Sequence, residues 1–358
     1  MRVPASPDCY TLRIVNSPIK NILALLPNWL GDAVMCTPAL RALHTRFPSA
    51  CLTVAGRPGP CDVVRGLPWF SAIMPIPKKP GLPGLLSTAR PLRAHAPDVA
   101  VVFPHSFRTA LLAYAAGARR RVGYDRNGRG LLLTDRVAPY RVEGRIQPVY
   151  MAKEYLDLVA HLGCEDDGAG PELLADTALT AQVNRRLGNN RPRVGFAPGG
   201  AFGPSKRWPP ERFAQVADAL RDRTGAQCVL LTGPGEQAIR DAVQTHASEP
   251  LAACETGEPT IAGLKATVSQ LDLLVCNDSG PRHVAVAFGV PTLCIMGPTS
   301  PRYSEGPYEQ GRVLRVDVDC GPCQKPVCDT DHRCMTRIEP ETVAETALEV
   351  LASGPTHP

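Results

Sequence analysis

The stretch of residues 273–301 constrains the fold of this chain more than any other part of the sequence. It begins with a short apolar run, continues through the tight polar loop 277–281, and ends with an apolar-periodic helix and a second apolar run. Short continuous apolar runs are typical of buried parallel strands. The order strand, loop, helix, strand therefore predicts a parallel α/β sheet whose C-terminal edge carries this loop, and ligands bind at such edges.

The same alternation of apolar runs and helical patterns occurs along most of the chain. Apolar runs lie at residues 22–26, 51–55, 72–76 and 99–103, and again at 193–197, 228–231, 271–276 and 292–296. Two such series predict an α/β protein with two Rossmann-like, doubly wound domains that face each other across a cleft. We expect an extension at 1–20, a first domain at 21–185, a second domain at 186–338, and a C-terminal helix with a tail at 339–358.

The composition, with 44% hydrophobic and 20% charged residues, is that of an ordinary soluble globular protein. No run of about 18 apolar residues occurs among the 358 residues, so no membrane-spanning helix is expected. The first twenty residues lack an apolar core followed by a cleavage site. We therefore predict no signal peptide and expect a cytoplasmic protein.

Basic residues are concentrated between positions 105 and 145. This segment has nine arginines against three acids, an excess of six positive charges, and it includes the run Arg119, Arg120 and Arg121. Arginine binds phosphate through two parallel hydrogen bonds, so the segment suits an anionic lipid or a phosphorylated substrate. A solvated surface with structural ion pairs is the alternative. Nucleic acid is not expected as a partner, because aromatic residues are sparse nearby and no nucleic-acid motif occurs.

Two polar side chains of the second domain follow glycine-rich turns. Lys206 follows the loop 199–205, where glycines allow close backbone approach and the lysine supplies a cation for phosphate, although no Walker A motif is present. Glu236 follows a Gly-Pro-Gly turn and could accept hydrogen bonds from ribose hydroxyls. The alternatives are surface solvation for Lys206 and compensation of a helix dipole for Glu236.

The loop 277–281 adds a second group of donor-side candidates. Asp278 or Ser279 can cap the following helix, and free N–H groups at Ser279 and Gly280 favour an anion such as phosphate. His283 lies one helical turn further on and could help to hold a diphosphate or serve a structural role. An ordinary strand–helix turn is the alternative for the whole loop, since small polar residues fill such turns.

Asp32 is the candidate general base in the first domain. It follows an apolar strand and Gly31 at the start of a predicted helix. The alternative is a helix N-cap, and the two roles are compatible. A base must reach the acceptor hydroxyl directly or through one water molecule.

Four of the thirteen cysteines are clustered near the C-terminus, with His332 among them. The spacing Cys320-x2-Cys323-x4-Cys328-x5-Cys334 could bind zinc, but it is not a paired CxxC…CxxC. Reduced structural cysteines and redox chemistry are the alternatives. We predict no bound metal and no cofactor.

Four motifs together resemble the bacterial ADP-heptose:lipopolysaccharide heptosyltransferases, a glycosyltransferase family, and among them the members that add the second heptose. The motifs are PNWLGDAVMCTPALRAL at 27–43, APGGAFGPSKRWPPERFA at 197–214, LLTGPGE at 230–236 and CNDSGPRHVAVAFGVP at 276–291. The resemblance implies a GT-B fold, with the acceptor on the N-terminal domain and the nucleotide sugar on the C-terminal domain. It also implies that the C-terminal helix returns towards the first domain.

The resemblance also implies roles for single residues. Asp32 matches the proposed base and Lys206 the lysine near the diphosphate, while Glu236 matches the acid near the nucleoside. Asp278 matches the acid that faces the heptose, and His283 the histidine of that loop. One departure is that Arg282 stands where methionine or another uncharged residue is usual. It could contact the diphosphate or point to solvent.

The function implied is inverting transfer of L-glycero-D-manno-heptose from ADP-heptose to the heptosyl-Kdo2-lipid A inner core. The basic segment with Arg119, Arg120 and Arg121 would face this anionic acceptor, at the cytoplasmic surface of the inner membrane. The alternatives are a related transferase with another acceptor or ADP-sugar, and a non-catalytic module that binds nucleotide sugars.

Overall fold

The computed structural model describes residues 18–76, 81–189, 192–253 and 258–353. Most of the predicted N-terminal extension, residues 1–17, lies outside these ranges. Within them, the first sheet is entirely parallel and has the order β3-β2-β1-β4-β5-β6. Its strands are β1 (Asn21–Leu25), β2 (Cys51–Gly56), β3 (Ala72–Pro75), β4 (Val99–Val102), β5 (Arg120–Tyr124) and β6 (Asp135–Val137).

The second sheet is also parallel throughout its described strands. A short antiparallel hairpin, β7 (Arg141–Val142) and β8 (Arg145–Ile146), precedes it. The sheet order is β10-β9-β11-β12-β13. Its strands are β9 (Arg193–Ala197), β10 (Gln227–Leu230), β11 (Leu273–Asn277), β12 (Thr292–Ile295) and β13 (Gly311–Leu314).

Helices connect the strands and cover both sheets. Those of the first half are α1 (Leu30–Met35), α2 (Thr37–Arg46), α3 (Pro58–Val64), α4 (Gly81–Ala94), α5 (Phe107–Ala115), α6 (Met151–Ala160) and α7 (Thr177–Leu187). Those of the second half are α8 (Pro210–Thr224), α9 (Gln237–His246), α10 (Ile261–Val268), α11 (Gly280–Ala287), α12 (Arg333–Thr336) and α13 (Pro340–Ser353). No helix in the described ranges has both the length and the apolar character needed to cross a bilayer.

The apolar runs explain why the predicted strands are present to within about two residues at each end. β4, β9, β11 and β12 are buried along their whole length, as parallel strands covered by helices on both faces must be. The fold class predicted from the sequence is therefore confirmed. β5 was not predicted from the sequence, because its first two residues are arginines and its apolar part is therefore short.

Two connections differ from the expectation. The region 163–192 was interpreted as a linker, but it contains α7, which is capped by the Asp176 side chain and contacts α10 of the second domain. The C-terminal helix was expected to return towards the first domain. The buried face of α13 instead packs on α8 and on β11, β12 and β13, because its apolar residues complete the core of the second domain.

The two domains contact each other through helices, and one contact uses a buried charge. Lys265 of α10 is 4% exposed, and its Nζ donates hydrogen bonds to the carbonyl oxygens of Val63 (3.2 Å) and Arg65 (2.8 Å) at the end of α3. Burial lowers the pKa of Lys265 to about 8. A cation at a helix C-terminus is favourable, so this lysine joins the domains despite its burial.

We predict that Lys265→Met changes how stability depends on pH. The lysine binds a proton more tightly in the unfolded chain, since its ordinary pKa is 10.5. We therefore compare the free energy of unfolding of the wild type with that of the variant at each pH. The wild-type value minus the variant value should rise by about 2 kcal/mol between about pH 8 and pH 10. Urea unfolding at each pH measures this difference. A difference that does not change with pH would contradict the assignment.

Candidate active site

The C-terminal ends of β1 and β11 meet at the cleft, where α1 and α11 begin and contact each other. Glycines make this close approach possible. A Cβ on Gly31 would lie 2.5 Å from Cδ2 of His283, and a Cβ on Gly280 would lie 2.7 Å from Cδ2 of Leu30. The first turns of the two helices therefore form opposite walls of one chamber.

Asp32 lies in the first turn of α1 and lines this chamber, which has a volume of about 320 Å³. Burial raises the pKa of Asp32 to about 6, and Lys206 across the cleft limits the rise. A carboxyl group with such a pKa is ionised at neutral pH and still accepts a proton readily. The sequence placed Asp32 at a strand end, and the structure places it opposite the second domain.

Lys206 and Asp278 form a buried ion pair on the other side of the chamber. Lys206 Nζ lies 2.6 Å from Asp278 Oδ2 and also donates to the Asp278 carbonyl oxygen at 3.1 Å. The hydroxyl of Thr299 donates to the same Oδ2 at 2.7 Å. Burial opposes ionisation of Asp278, but Lys206 and Arg282 outweigh it and hold the pKa of Asp278 well below its usual value.

Arg282 neither contacts an open phosphate site nor points to solvent. Its side chain is fully buried, and its guanidinium bonds Asp278 Oδ1 at 3.0 Å and both carboxylate oxygens of Glu309 at 2.7 and 2.6 Å. The charge of the arginine is thus compensated by two acids. Sequence analysis singled out Arg282 but had no means of finding Glu309, which lies 27 positions away.

His283 is buried at the contact between α1 and α11. Burial lowers the pKa of His283 to about 4, so the imidazole is neutral at physiological pH. A neutral ring packs against Gly31 without placing a charge at the domain contact. His283 lines the chamber together with Asp32 and Asp278, and its contact with a diphosphate stays a prediction.

The N-terminus of α11 offers unused donors to the chamber. Ser279 is the N-cap residue, its side chain makes no cap hydrogen bond, and its buried Oγ has no partner among the described residues. The N–H of Gly280 begins the helix, and Pro281 has no N–H to offer. A helix N-terminus with a free hydroxyl beside it favours an anion.

A second cavity of about 270 Å³ adjoins the chamber and has Leu30, Ala201, Ser279 and Gly280 in common with it. Its remaining lining comes from strand-end loops and from α9 and α10 of the second domain, and includes apolar side chains such as Leu231, Ile261 and Leu264. An apolar slot beside an anion site suits a nucleoside diphosphate, with the base in the slot and the phosphates at α11.

Glu236 forms part of this second cavity and holds two of its loops together. Its Oε1 accepts a hydrogen bond from Gly200 N at 3.0 Å, and its Oε2 accepts one from Gly233 N at 2.7 Å. Glu236 is also the N-cap residue of α9, but its carboxylate makes no cap bond to that helix. Contact with a ribose stays a prediction.

Arg119, Arg120 and Arg121 are not brought to the chamber. They lie at the start of β5, and parallel strands start at the edge of the sheet opposite to Asp32. Arg120 pairs with Asp135 at 2.6 Å, and Arg121 donates to backbone carbonyl oxygens. Counting charges along the sequence could not reveal which edge of the sheet they occupy.

A third cavity of about 410 Å³ lies at the C-terminal edge of the first sheet, and sequence analysis missed it. Arg57 and Arg108 line it, together with Asn28, Ser106 and apolar residues of β1 and α4. Arg57 follows β2 directly, and Arg108 follows β4 by six positions. Their places after strand ends were a signal that could have separated them from Arg119, Arg120 and Arg121, which precede or begin β5.

The cysteine cluster supports the loop that carries Lys206. Cys320, Cys323, Cys328 and Cys334 line a small cavity of about 20 Å³ with His332. His332 Nε2 contacts the Ser205 carbonyl oxygen at 2.6 Å, and Ser205 Oγ donates to the Lys325 carbonyl oxygen at 2.6 Å. Across the part of the chain that the structure describes, no three His, Cys, Asp or Glu side chains are arranged to hold a metal ion.

Two parallel α/β domains that face each other across a cleft, with Asp32 on one side and Lys206 and Asp278 on the other, are the architecture of a GT-B glycosyltransferase. The family profile described as glycosyltransferase family 9 (heptosyltransferase) matches residues 85–333. The chain therefore belongs to glycosyltransferase family 9, and the resemblance drawn from its motifs is confirmed.

Similar proteins support this membership. Lipopolysaccharide heptosyltransferase 2 of Escherichia coli K12 is 28% identical over 340 residues, which cover 90% of this chain and 96% of the relative. Lipooligosaccharide heptosyltransferase 2 of Campylobacter jejuni is 27% identical over 336 residues, covering 92% and 98%.

Solved structures confirm the fold. The E. coli ADP-heptose lps heptosyltransferase II superposes with a TM-score of 0.78 at 24% identity, covering 93% of this chain and 99% of that one. A family 9 glycosyltransferase of Veillonella parvula superposes with a TM-score of 0.79 at 24% identity, covering 94% and 98%.

We predict that Gly31→Ala weakens the domain contact. The new methyl group would displace the His283 ring, and overpacking of this kind costs about 1–3 kcal/mol. Thermal unfolding should show a lower midpoint. Gly59→Ala is the matched control, because it also lies in a helix and its methyl group would meet no atom within 4 Å. If both variants are as stable as the wild type, α1 and α11 do not meet as described.

Proposed function

We propose that this glycosyltransferase moves L-glycero-D-manno-heptose from ADP-heptose to the heptosyl-Kdo2-lipid A inner core, with inversion at the anomeric carbon. The names of its relatives support heptose transfer in the synthesis of lipopolysaccharide, and the name of the similar E. coli structure supports ADP-heptose as the donor. One observation carries the proposal: Asp32 of the first domain and Lys206 and Asp278 of the second line the same chamber. A transfer between two substrates needs a base and a leaving-group site that face each other.

The donor would extend along the second domain. Its adenosine would occupy the cavity lined by Glu236, and its diphosphate would lie at Ser279 and Gly280. Lys206 would then turn from Asp278 towards the diphosphate, while Asp278 would accept hydrogen bonds from heptose hydroxyls. The free Ser279 Oγ and the α11 N-terminus support this direction, since both offer donors to an anion.

Asp32 would act as the base. It would take the proton of an acceptor hydroxyl as that oxygen forms a bond to the anomeric carbon of the heptose. The bond between this carbon and the diphosphate oxygen would break, and ADP would leave with the electron pair. Lys206 and the N–H groups at α11 would stabilise the charge that builds on ADP. Attack from the face opposite the leaving group inverts the anomeric configuration.

The acceptor is anionic, and two sets of arginines are candidates for binding it. The cavity with Arg57 and Arg108 opens at the same sheet edge as Asp32, which favours these arginines for direct contact. The predicted contact through Arg119, Arg120 and Arg121 would need an acceptor that reaches the opposite edge. Because the acceptor carries a lipid, we propose that the enzyme works at the cytoplasmic surface of the inner membrane as a peripheral protein.

A direct assay tests the proposal. The protein is incubated with ADP-heptose and heptosyl-Kdo2-lipid A, and ADP release and the glycolipid product are measured together. We expect one ADP for each heptose transferred. A product formed only with another acceptor or ADP-sugar would identify a related transferase, and ADP-heptose binding without any transfer would identify a binding module.

We predict that Asp32→Asn reduces kcat by about 10²–10⁴-fold, the range typical of a lost general base, while the Kd for ADP-heptose changes little. In the wild type, activity should fall about tenfold per pH unit below pH 6, since protonated Asp32 cannot act as a base. Asp157→Asn, at a half-buried position on α6 that does not line the chamber, is the control and should behave as the wild type. Unchanged turnover by Asp32→Asn would remove Asp32 from this role.

We also predict that Arg57→Glu and Arg108→Glu each raise the KM for the acceptor by about tenfold at low salt, with less effect at high salt, because salt screens charge interactions. The KM for ADP-heptose should stay unchanged. Arg119→Glu, whose exposed side chain lies at the opposite edge, is the matched charge reversal. A larger effect of Arg119→Glu on the acceptor KM would favour the Arg119–Arg121 surface instead.

A further inference from the structure

Asp278 has two cationic partners, Lys206 and the buried guanidinium of Arg282. Asp278 Oδ1 accepts from Arg282, whereas Oδ2 accepts from Lys206 and from the Thr299 hydroxyl. Each oxygen therefore has its own positive partner. If Lys206 were the sole cation here, its departure would leave a buried carboxylate uncompensated, which is strongly unfavourable.

In the proposed donor complex, Lys206 turns from Asp278 towards the diphosphate. Lys206 is paired with Asp278 in the structure. The N-terminus of α11, which favours an anion, begins two positions after Asp278. With Arg282 in place, Asp278 keeps a charged partner when Lys206 turns away. Arg282 thus reduces the cost of releasing the lysine to the donor.

Arg282 also ties Asp278 to the segment 299–310. Its guanidinium donates to Ser304 Oγ at 3.1 Å and to Glu309, whose Oε1 accepts a further bond from Thr292 at 2.7 Å. Ser304 and Tyr303 of this segment line the chamber beside Asp278. A rigid arginine fork between them fixes where the Asp278 carboxylate stands relative to this wall.

The same segment touches the first domain. A Cβ on Gly306 would lie 2.3 Å from the ring of Tyr150, the residue that precedes α6, so the two are in close contact. The segment that Arg282 holds beside Asp278 therefore also contacts the first domain, at Tyr150. A buried ion pair contributes little net stability compared with apolar packing, so stability alone does not account for this arrangement.

We propose that Arg282, with Glu309 as its dedicated counterion, is a positioning residue for the donor sugar. It holds the Asp278 carboxylate ionised and aimed into the chamber after Lys206 has moved to the diphosphate. This inference rests on the proposed function, because it takes the ligand to be an ADP-sugar whose sugar faces Asp278.

Calorimetry with ADP and ADP-heptose tests the inference, because the ratio of the two Kd values isolates the contribution of the sugar. In Arg282→Met we expect the Kd for ADP-heptose to rise about tenfold relative to the Kd for ADP, which should itself change little. The KM for ADP-heptose should rise accordingly. Arg282→Lys keeps a cation and should recover part of the ratio. A purely structural role would weaken ADP and ADP-heptose equally.

The double variant Arg282→Met/Glu309→Gln removes both charges and guards against misfolding from an unpaired Glu309. We expect it to fold and still to lack the sugar contribution. The inference is overturned if either variant keeps the wild-type ratio, or if the double variant does not fold, since the pair would then be structural. A wild type that binds neither ADP nor ADP-heptose would refute the proposed function instead, so the two failures are distinguishable.

Discussion

The ion pair between Lys206 and Asp278 is the interaction on which the second-domain side of the chamber depends. It joins the loops after β9 and β11. Lys206 Nζ lies 2.6 Å from Asp278 Oδ2, and both side chains are largely buried. Such a pair adds little to stability, because desolvation offsets the attraction. Its effect is geometric: it holds a cation and a carboxylate at the start of α11, where an anion is already favoured.

The first-domain side of the chamber depends on how closely the two domains approach. Gly31 and Gly280 let α1 and α11 meet, and neutral His283 fills the space between them. Burial in this contact raises the pKa of Asp32 to about 6, while Lys206 across the cleft keeps it from rising further. The domain contact thus sets both the position of Asp32, the proposed base, and its readiness to accept a proton.

The sequence was sufficient for the fold and for locating the loops that follow apolar strands, whereas the roles of the side chains in these loops stay predictions. Asp32 and Lys206 were predicted because parallel strands deliver their C-terminal loops to one edge. Arg119–Arg121 could not be placed, since charge density along the chain does not tell the start of a strand from its end. The Arg282–Glu309 pair and the packing of α13 depend on contacts between distant segments, which no local pattern encodes.

The central claim is that one base and one leaving-group site face each other across the chamber. The anomeric configuration of the transferred heptose, measured by NMR on the product formed from ADP-heptose, tests this most directly. A single base that activates the acceptor opposite the diphosphate requires an inverted anomeric centre. A product with retained configuration would contradict the account, because it would require a different geometry of attack.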